Sequence, residues 1–295
     1  MPEYPDITVY IEALSARVRN EVLRGTRIAS PFLVRTYKPP LETLHGRRVE
    51  RLKRVGKRIA FGFEGDHWLV VHLMIAGRLH WNKTRSALAE FEFGSGVLTL
   101  TEAGSKRQAS VHVFESERGI DAIDPGGLEV FSATLDEFRA RLTASNHTLK
   151  RALTDPHILS GIGNAFSDEI LLHARLSPVA LTQKLDGAQT ARLFDSIKDR
   201  LTYFTELLRA QCDGGFPEKV TAFRPEMAAH GRFKQPCPQC GTPIQRIVHA
   251  SNESNYCPDC QTGGKLLADR ALSRLLGKDW PKTLEEMENR IKATR

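Results

Sequence analysis

Four cysteines carry the most explicit chemistry in the chain. "CPQC" and "CPDC" place Cys237 and Cys240, then Cys257 and Cys260, as two C-x2-C pairs sixteen residues apart. Each pair can bend two thiolates toward one point, and four thiolates about 2.3 Å from a common ion form a closed tetrahedral site. One Zn2+ fits that donor set, with an iron–sulfur centre as the alternative. A closed site is structural, because it leaves no coordination position for a substrate. The intervening "GTPIQRIVHASNESNY" reads as two short strands around a polar tip, so the metal would staple a hairpin. The fifth cysteine, Cys212, stands apart. An odd count with four residues in tight pairs argues for metal in a reducing compartment rather than for disulfides.

The second candidate is the opening "MPEYP". A small second residue favours removal of the initiator methionine, which would leave Pro2 with a free secondary amine beside the carboxyl group of Glu3. An α-amine titrates near 8, against about 10.4 for lysine, so much more of it is unprotonated at neutral pH. Proline at position two is common, and alone it signals little.

A third signal is "LSGIGNAFSDEIL", where Gly161 and Gly163 separate two helical patterns and Asn164 falls at the expected helix cap. A glycine-rich turn opening a helix can aim several backbone N–H groups at a phosphate. It can equally be a well-capped helical hairpin.

These residues need elements to hold them. In "YPDITVYIEALSARVR", Ile7, Ile11, Leu14 and Val18 recur at helical spacing. "RIAFGFEGDHWLVVHLMIAGRLHW", "EFEFGSGVLTLTE" and "ASVHVFE" read as strands broken by glycine-containing turns. "DPGGLEV" (124–130) marks a change of composition and a domain boundary. Helical patterns then run to about residue 212, followed by the irregular "DGGFPEKVTAFRPEMAAHGRFKQP". Helical stretches return in "KLLADRALSRLLG" and "TLEEMENRIKAT" of the tail. The chain of 295 residues has 42 basic and 35 acidic side chains, a formal charge of +7. That balance suits a polyanionic partner without identifying one. The start lacks a signal-peptide pattern, and no run approaches the roughly 18 apolar residues of a membrane span. A cytoplasmic protein is expected.

"PEYPD", the "VGKR" turn carrying Lys57, "LKRALTDPHILSGIGNAFSDEIL" and the four-cysteine hairpin occur in order across nearly the whole chain. In these motifs the sequence resembles the formamidopyrimidine-DNA glycosylase/endonuclease VIII family of base-excision repair enzymes. The resemblance implies an α+β multidomain protein: an N-terminal β-sandwich with an N-terminal helix (1–125), then a helix–two-turns–helix domain (131–230). A zinc finger (231–262) and a tail (263–295) follow, with damaged duplex DNA in the cleft and a monomeric, nucleoid-associated protein. It gives the Pro2 nitrogen the attack on C1′ of a damaged nucleotide, and Glu3 the protonation of the sugar ring oxygen. Lys57 would be the third catalytic residue, reaching phosphates beside the lesion and assisting proton movement, while Lys150 and Asn164 would grip backbone phosphates, which position DNA without reading its sequence. Asp6 would belong to the same pocket as Glu3, or would favour the helix dipole.

Three positions depart from the family pattern. Asn252 stands where the finger usually presents an arginine, and it offers neither charge nor a bidentate fork. In the oxidised-purine branch a Met, an Arg and a Phe fill the void left by the extruded base. Here Ile75, Arg107 and Ala109 hold those places, and alanine cannot wedge a base stack as a phenyl ring does. The loop "DGGFPEKVTAFRPEM" differs from the one that closes over 8-oxoguanine. The leading expectation is a glycosylase with abasic-site lyase activity. The alternatives are a catalytically weak or inactive lesion-binding protein on the same scaffold, and a zinc-ribbon transcription or RNA-binding protein.

Overall fold

The computed structural model describes residues 1–104, 107–218, 220–249, 252–268 and 274–293. They form two compact units, Met1–Gly127 with Leu201–Ala222, and Leu128–Arg200 with Phe223–Arg295.

The first unit starts with helix α1, Tyr4–Val18, which buries Ile7, Tyr10, Leu14 and Val18 on one face. Eight strands follow: β1 Gly25–Ile28, β2 Val49–Val55, β3 Arg58–Phe63, β4 His67–His72, β5 Gly77–Trp81, β6 Ala87–Glu92, β7 Val97–Glu102 and β8 Ser110–Phe114. They pair into two antiparallel four-stranded sheets, ordered β1-β6-β7-β5 and β2-β3-β4-β8. The period-2 alternation of each strand selects its face. Ile59, Phe61, Leu69 and Val71 point into one large core shared with Phe91, Leu100 and α1. Ala60, Trp68 and Val70, one step out of phase, lie on the opposite face under Ile120. "HLMIAG" does not continue as a strand: β4 stops at His72, Met74 adopts φ +53, and Gly77 N–H donates to Leu73 O at 2.9 Å. A Cβ on Gly77 would stand 2.2 Å from that same carbonyl oxygen, so only glycine permits so tight a turn.

The irregular segment after residue 212 contributes Phe216 and Val220 to this unit. Phe216 packs on Tyr10 and Trp81, and Glu218 accepts the Trp81 backbone N–H at 3.2 Å.

The second unit contains α2 Leu135–Thr143, α3 Leu149–Thr154, α4 Asn164–His173 and the start of α5, Gly187–Cys212. Thr134 caps α2 reciprocally with Glu137, and Thr148 caps α3. The cap of α4 is Gly163, in extended conformation, and Asn164 is the first helical residue. Its side chain is committed elsewhere. Strands β9 Gln245–His249 and β10 Asn252–Tyr256 form an antiparallel hairpin, followed by the short helix α6 Pro258–Thr262. The tail holds a helix at Leu284–Ala293; the expected stretch "KLLADRALSRLLG" falls partly outside the described residues.

Candidate active site and zinc centre

Two sites emerge, one in each unit. In the first, Glu3 immediately precedes α1, and its backbone N–H donates to Asp6 Oδ2 at 2.9 Å. Both carboxylates therefore stand at the positive end of the helix, where its dipole favours negative charge. Glu3 is 2% exposed, Asp6 4% and Lys57 9%, and Pro2 is also buried. Lys57 reaches this position from the β2–β3 turn, where Gly56 takes φ +60, a conformation a side chain resists. Burial pushes the Lys57 ammonium below its ordinary pKa, and the Glu3 carboxylate pulls the other way. The chain's amino group is likewise held below 8.0 by burial. Glu3 and Asp6 oppose that effect, and Arg78 and Lys57 add to it. That amine belongs to Met1; removal of the methionine passes it to Pro2, about 3.8 Å along the chain.

Two residues of this site escaped the sequence analysis. Arg78 follows the Gly77 turn and donates from Nη1 to Gly77 O at 2.6 Å. His72 ends β4 opposite Arg58, and burial with Arg58, Lys57 and His112 pushes its imidazole down to about 4. Neither lies in a recognisable motif, and only strand pairing brings Arg78 near the amino terminus and His72 near Lys57. Arg107 is exposed in the loop before β8, and Ala109 is buried at 3% exposure.

The second unit places Lys150 and Asn164 in a shared polar cluster. Lys150 Nζ donates to Asn164 O at 2.7 Å and to Asp168 Oδ1 at 2.5 Å. Asp168 Oδ2 meets His230 Nδ1 at 2.9 Å and accepts from Asn255 Nδ2 at 3.3 Å. Asn164 Nδ2 donates to Glu253 O at 3.0 Å, tying the start of α4 to β10. Glu169 accepts three backbone N–H groups, from Ala228, Ala229 and His230. Lys150 therefore spends two of its three donors inside the protein. Asn252 opens β10 opposite His249; its side chain lies outside the described residues.

The four cysteines fit zinc. Their Sγ atoms all lie within 4.8 Å of one another, with Cys237–Cys260 at 4.0 Å and Cys240–Cys257 at 3.4 Å. A tetrahedron with bonds of about 2.3 Å has edges of about 3.8 Å. Cys237 and Cys257 are buried against Leu172, Ala229 and Ile244, which fixes half of the donor set by packing. Bound there, one zinc ion supplies cross-linking and no open coordination position.

Fold and sites together define a two-unit α+β protein with a buried amine–carboxylate–lysine constellation and a zinc-stapled hairpin. The models of three domains match in sequence: the formamidopyrimidine-DNA glycosylase N-terminal domain over residues 1–113, its H2TH domain over 126–208, and the zinc finger found in FPG and IleRS over 234–263. A formamidopyrimidine-DNA glycosylase-like protein of Mycobacterium tuberculosis is 37% identical over 155 residues, 52% of this chain and 94% of that protein. The formamidopyrimidine-DNA glycosylase of Thiobacillus denitrificans is 29% identical, over 88% of this chain and 100% of that one. Among solved structures, the MutM (Fpg) protein of Thermus thermophilus superposes with a TM-score of 0.77 at 28% identity, covering 88% of this chain and 98% of that one. Lactococcus lactis Fpg, solved with abasic-site DNA, shares the fold with a TM-score of 0.78 at 21% identity, over 88% and 99%. The chain belongs to the formamidopyrimidine-DNA glycosylase family.

Proposed function

We propose that this protein is a DNA-repair glycosylase with abasic-site lyase activity, and that the Pro2 amine is its nucleophile. The observation that carries the reading is the burial of Pro2, Glu3 and Lys57 together, with the amino terminus held below its ordinary pKa. A less basic amine is more often unprotonated at neutral pH, and only that form has the lone pair to attack. The relatives named glycosylases support the class of reaction.

In this mechanism the Pro2 nitrogen bonds to C1′ as the C1′–N bond to the base breaks, and the base leaves with that electron pair and takes up a proton. The ammonium on C1′ gives up its proton. The nitrogen lone pair then expels the ring oxygen, which Glu3 protonates, and a C1′ iminium results. Loss of a C2′ proton and departure of the 3′ phosphate cleave the strand, and water releases the enzyme. Lys57, drawn to the Glu3 carboxylate, balances charge beside the phosphates of the extruded nucleotide. Lys150 retains one donor for a backbone phosphate, with Asn164, Arg107 and Asn252 as further contacts. Zinc holds the finger and takes no part in these steps.

A second reading, a lesion-binding protein with weak chemistry, is favoured by one observation. Ala109 lies in the core, so the position that should fill the vacated stack presents no surface. Among the described residues no helix is long and apolar enough to cross a membrane.

Borohydride trapping on an oligonucleotide with a single abasic site tests the assignment. Protein with a processed terminus should form a covalent adduct, and the same protein carrying one extra N-terminal residue should form none. Equal adducts from both would remove Pro2 from the mechanism, and no adduct from folded, zinc-loaded protein would favour the second reading.

A further inference from the structure

The outer face of the sheet β2-β3-β4-β8 carries cations and imidazoles that the reaction above does not use. Residues of β3, β4 and β8 that are out of phase with the core meet there in rows, because the pairing register fixes them. Ala60, Val70 and His112 form one row, and Arg58, His72 and Ser110 form the next. Side chains directly opposite one another on a face stand about 5 Å apart, so Arg58 adjoins His72 and His72 adjoins Ser110. Ile120, from the 3-10 turn Glu117–Ala122, packs on Ala60, Trp68 and Val70. The Arg58 row lies at the end of the face, where β3 and β8 begin and β4 stops.

Two polar atoms of this corner are buried without a partner. Arg58 Nε and His112 Nδ1 have no hydrogen bond among the described residues. The Arg58 guanidinium lies against the β2–β3 turn, since a Cβ built on Gly56 would stand 3.7 Å from its Nη1. His112 is held flat beside Phe114, with ring centroids 6.2 Å apart and planes 3° apart. Charge is out of balance here as well. Arg58 and Lys57 both act on His72, and Arg58 and Arg35 both act on His112. Burial pushes the His112 imidazole below its ordinary pKa, and the two arginines add to that. The acid that acts on Arg58 is the exposed Asp124, whose Oδ1 accepts the Gly126 N–H at 2.9 Å.

A guanidinium drawn partly out of water needs hydrogen bonds and negative charge to offset its lost solvation. Water could meet the two idle nitrogens, but it brings no charge. A tetrahedral oxyanion meets both needs, and the planar fork of arginine matches a phosphate. A neutral imidazole beside it can donate one N–H and adds no competing charge.

We infer that Arg58 and His112 form an anion site for a phosphate group, with the guanidinium on its oxygens and one imidazole N–H donated to it. The backbone of duplex DNA and free inorganic phosphate carry the same chemistry. The backbone is the source on the DNA-repair reading above, on which this choice rests. Arg58 then grips a phosphate beside the turn that delivers Lys57 to Glu3, and it positions the duplex without reading its sequence.

The test follows the imidazole resonances of zinc-loaded, full-length protein by NMR at neutral pH, with His112 assigned by the signals lost in His112→Phe. The probes are a duplex containing tetrahydrofuran, a stable abasic analogue, and inorganic phosphate. Saturating duplex should shift the His112 signals in wild type and leave them in place in Arg58→Gln. Arg58→Gln should also lower the slope of log affinity against log salt by about one, the signature of one lost phosphate contact. His112→Phe keeps a flat ring beside Phe114; it should bind about ten-fold more weakly with the slope unchanged. A His112 shift with phosphate and none with duplex would overturn the backbone assignment and leave a free-anion site. Signals that move with neither probe overturn the inference whatever the variants do, as does an unchanged salt slope in folded Arg58→Gln. Because the analogue requires no bond breaking, a duplex-dependent His112 shift from protein that forms no borohydride adduct would sink the catalytic reading and leave this one standing. Normal adducts with His112 unmoved by either probe would do the reverse.

Discussion

Replacing Asp168 by alanine tests the polar cluster that joins α3, α4 and the finger. The carboxylate has no exposed surface and meets Lys150 Nζ at 2.5 Å, His230 Nδ1 at 2.9 Å and Asn255 Nδ2 at 3.3 Å. The Lys150 side chain is only 13% exposed, so its ammonium cannot simply turn to water without leaving Asn164 O. Removing one member of a buried ion pair costs about 3–5 kcal/mol, because the other charge is left unpaired. The residual exposure of Lys150 places the expected cost at the lower end, about 3 kcal/mol. Lys150→Met should cost less, about 1–2 kcal/mol, since Asp168 keeps two other partners. The double variant should then fall short of the sum by at least about 1.5 kcal/mol, a coupling above the roughly 0.2–1 kcal/mol typical of exposed pairs. Urea unfolding of zinc-loaded protein, followed by far-ultraviolet circular dichroism, measures all four corners of the cycle. A coupling within the exposed-pair range would refute the claim that this pair fixes the cluster.

Acid should weaken the fold through His72. Its pKa falls from 6.5 to about 4 on folding, so the unfolded chain binds the proton more readily. The stability held by the neutral imidazole is complete above pH 6.5 and is lost as pH falls from there toward 4, amounting to about 2 kcal/mol once partial exposure is allowed for. His72→Gln should flatten that part of the stability–pH curve, as read by thermal unfolding at a series of pH values. Cys237→Ser should release the one zinc equivalent and expose the β9–β10 hairpin to protease. Metal analysis and limited proteolysis check this together, and DNA binding unchanged in the metal-free protein would deny the hairpin a role in binding.

The motifs were legible because their chemistry is local. Two C-x2-C pairs, a Pro-Glu start and a glycine turn announce themselves within a few residues, and the period-2 apolar runs marked the sandwich strands. What stayed hidden depends on pairing between distant segments. Arg78 reaches the amino terminus and His72 reaches Lys57 only because β4 and β5 sit where they do, and no spacing in the sequence encodes that. Asn164 was expected to cap α4, yet Gly163 holds the cap and the Asn164 amide reaches Glu253 in the finger instead. Lys150 reads as an available cation in sequence, but Asp168, eighteen residues on, accepts a hydrogen bond from its ammonium.

Burial of charge bears on the choice between an enzyme and a passive binder. Moving a carboxylate or an ammonium out of water costs several kcal/mol per ion. A protein that only held DNA would gain nothing from that cost, because phosphate contacts and counterion release depend on accessible charge. Here Glu3, Asp6 and Lys57 are at most 9% exposed. The start of α1 and the attraction between Glu3 and Lys57 offset part of the penalty. Its remainder lowers the basicity of both amines, the direction a nucleophile at neutral pH requires. On the proposed function, Ala109 would leave the base stack without an aromatic wedge, and Asn252 would remove a charge at the finger tip. On that reading the departures from the family pattern fall on how a lesion is reached, and the costly features fall on bond making. A substrate that needs little help leaving the helix would satisfy both, which makes distorted or unpaired lesions the first to screen.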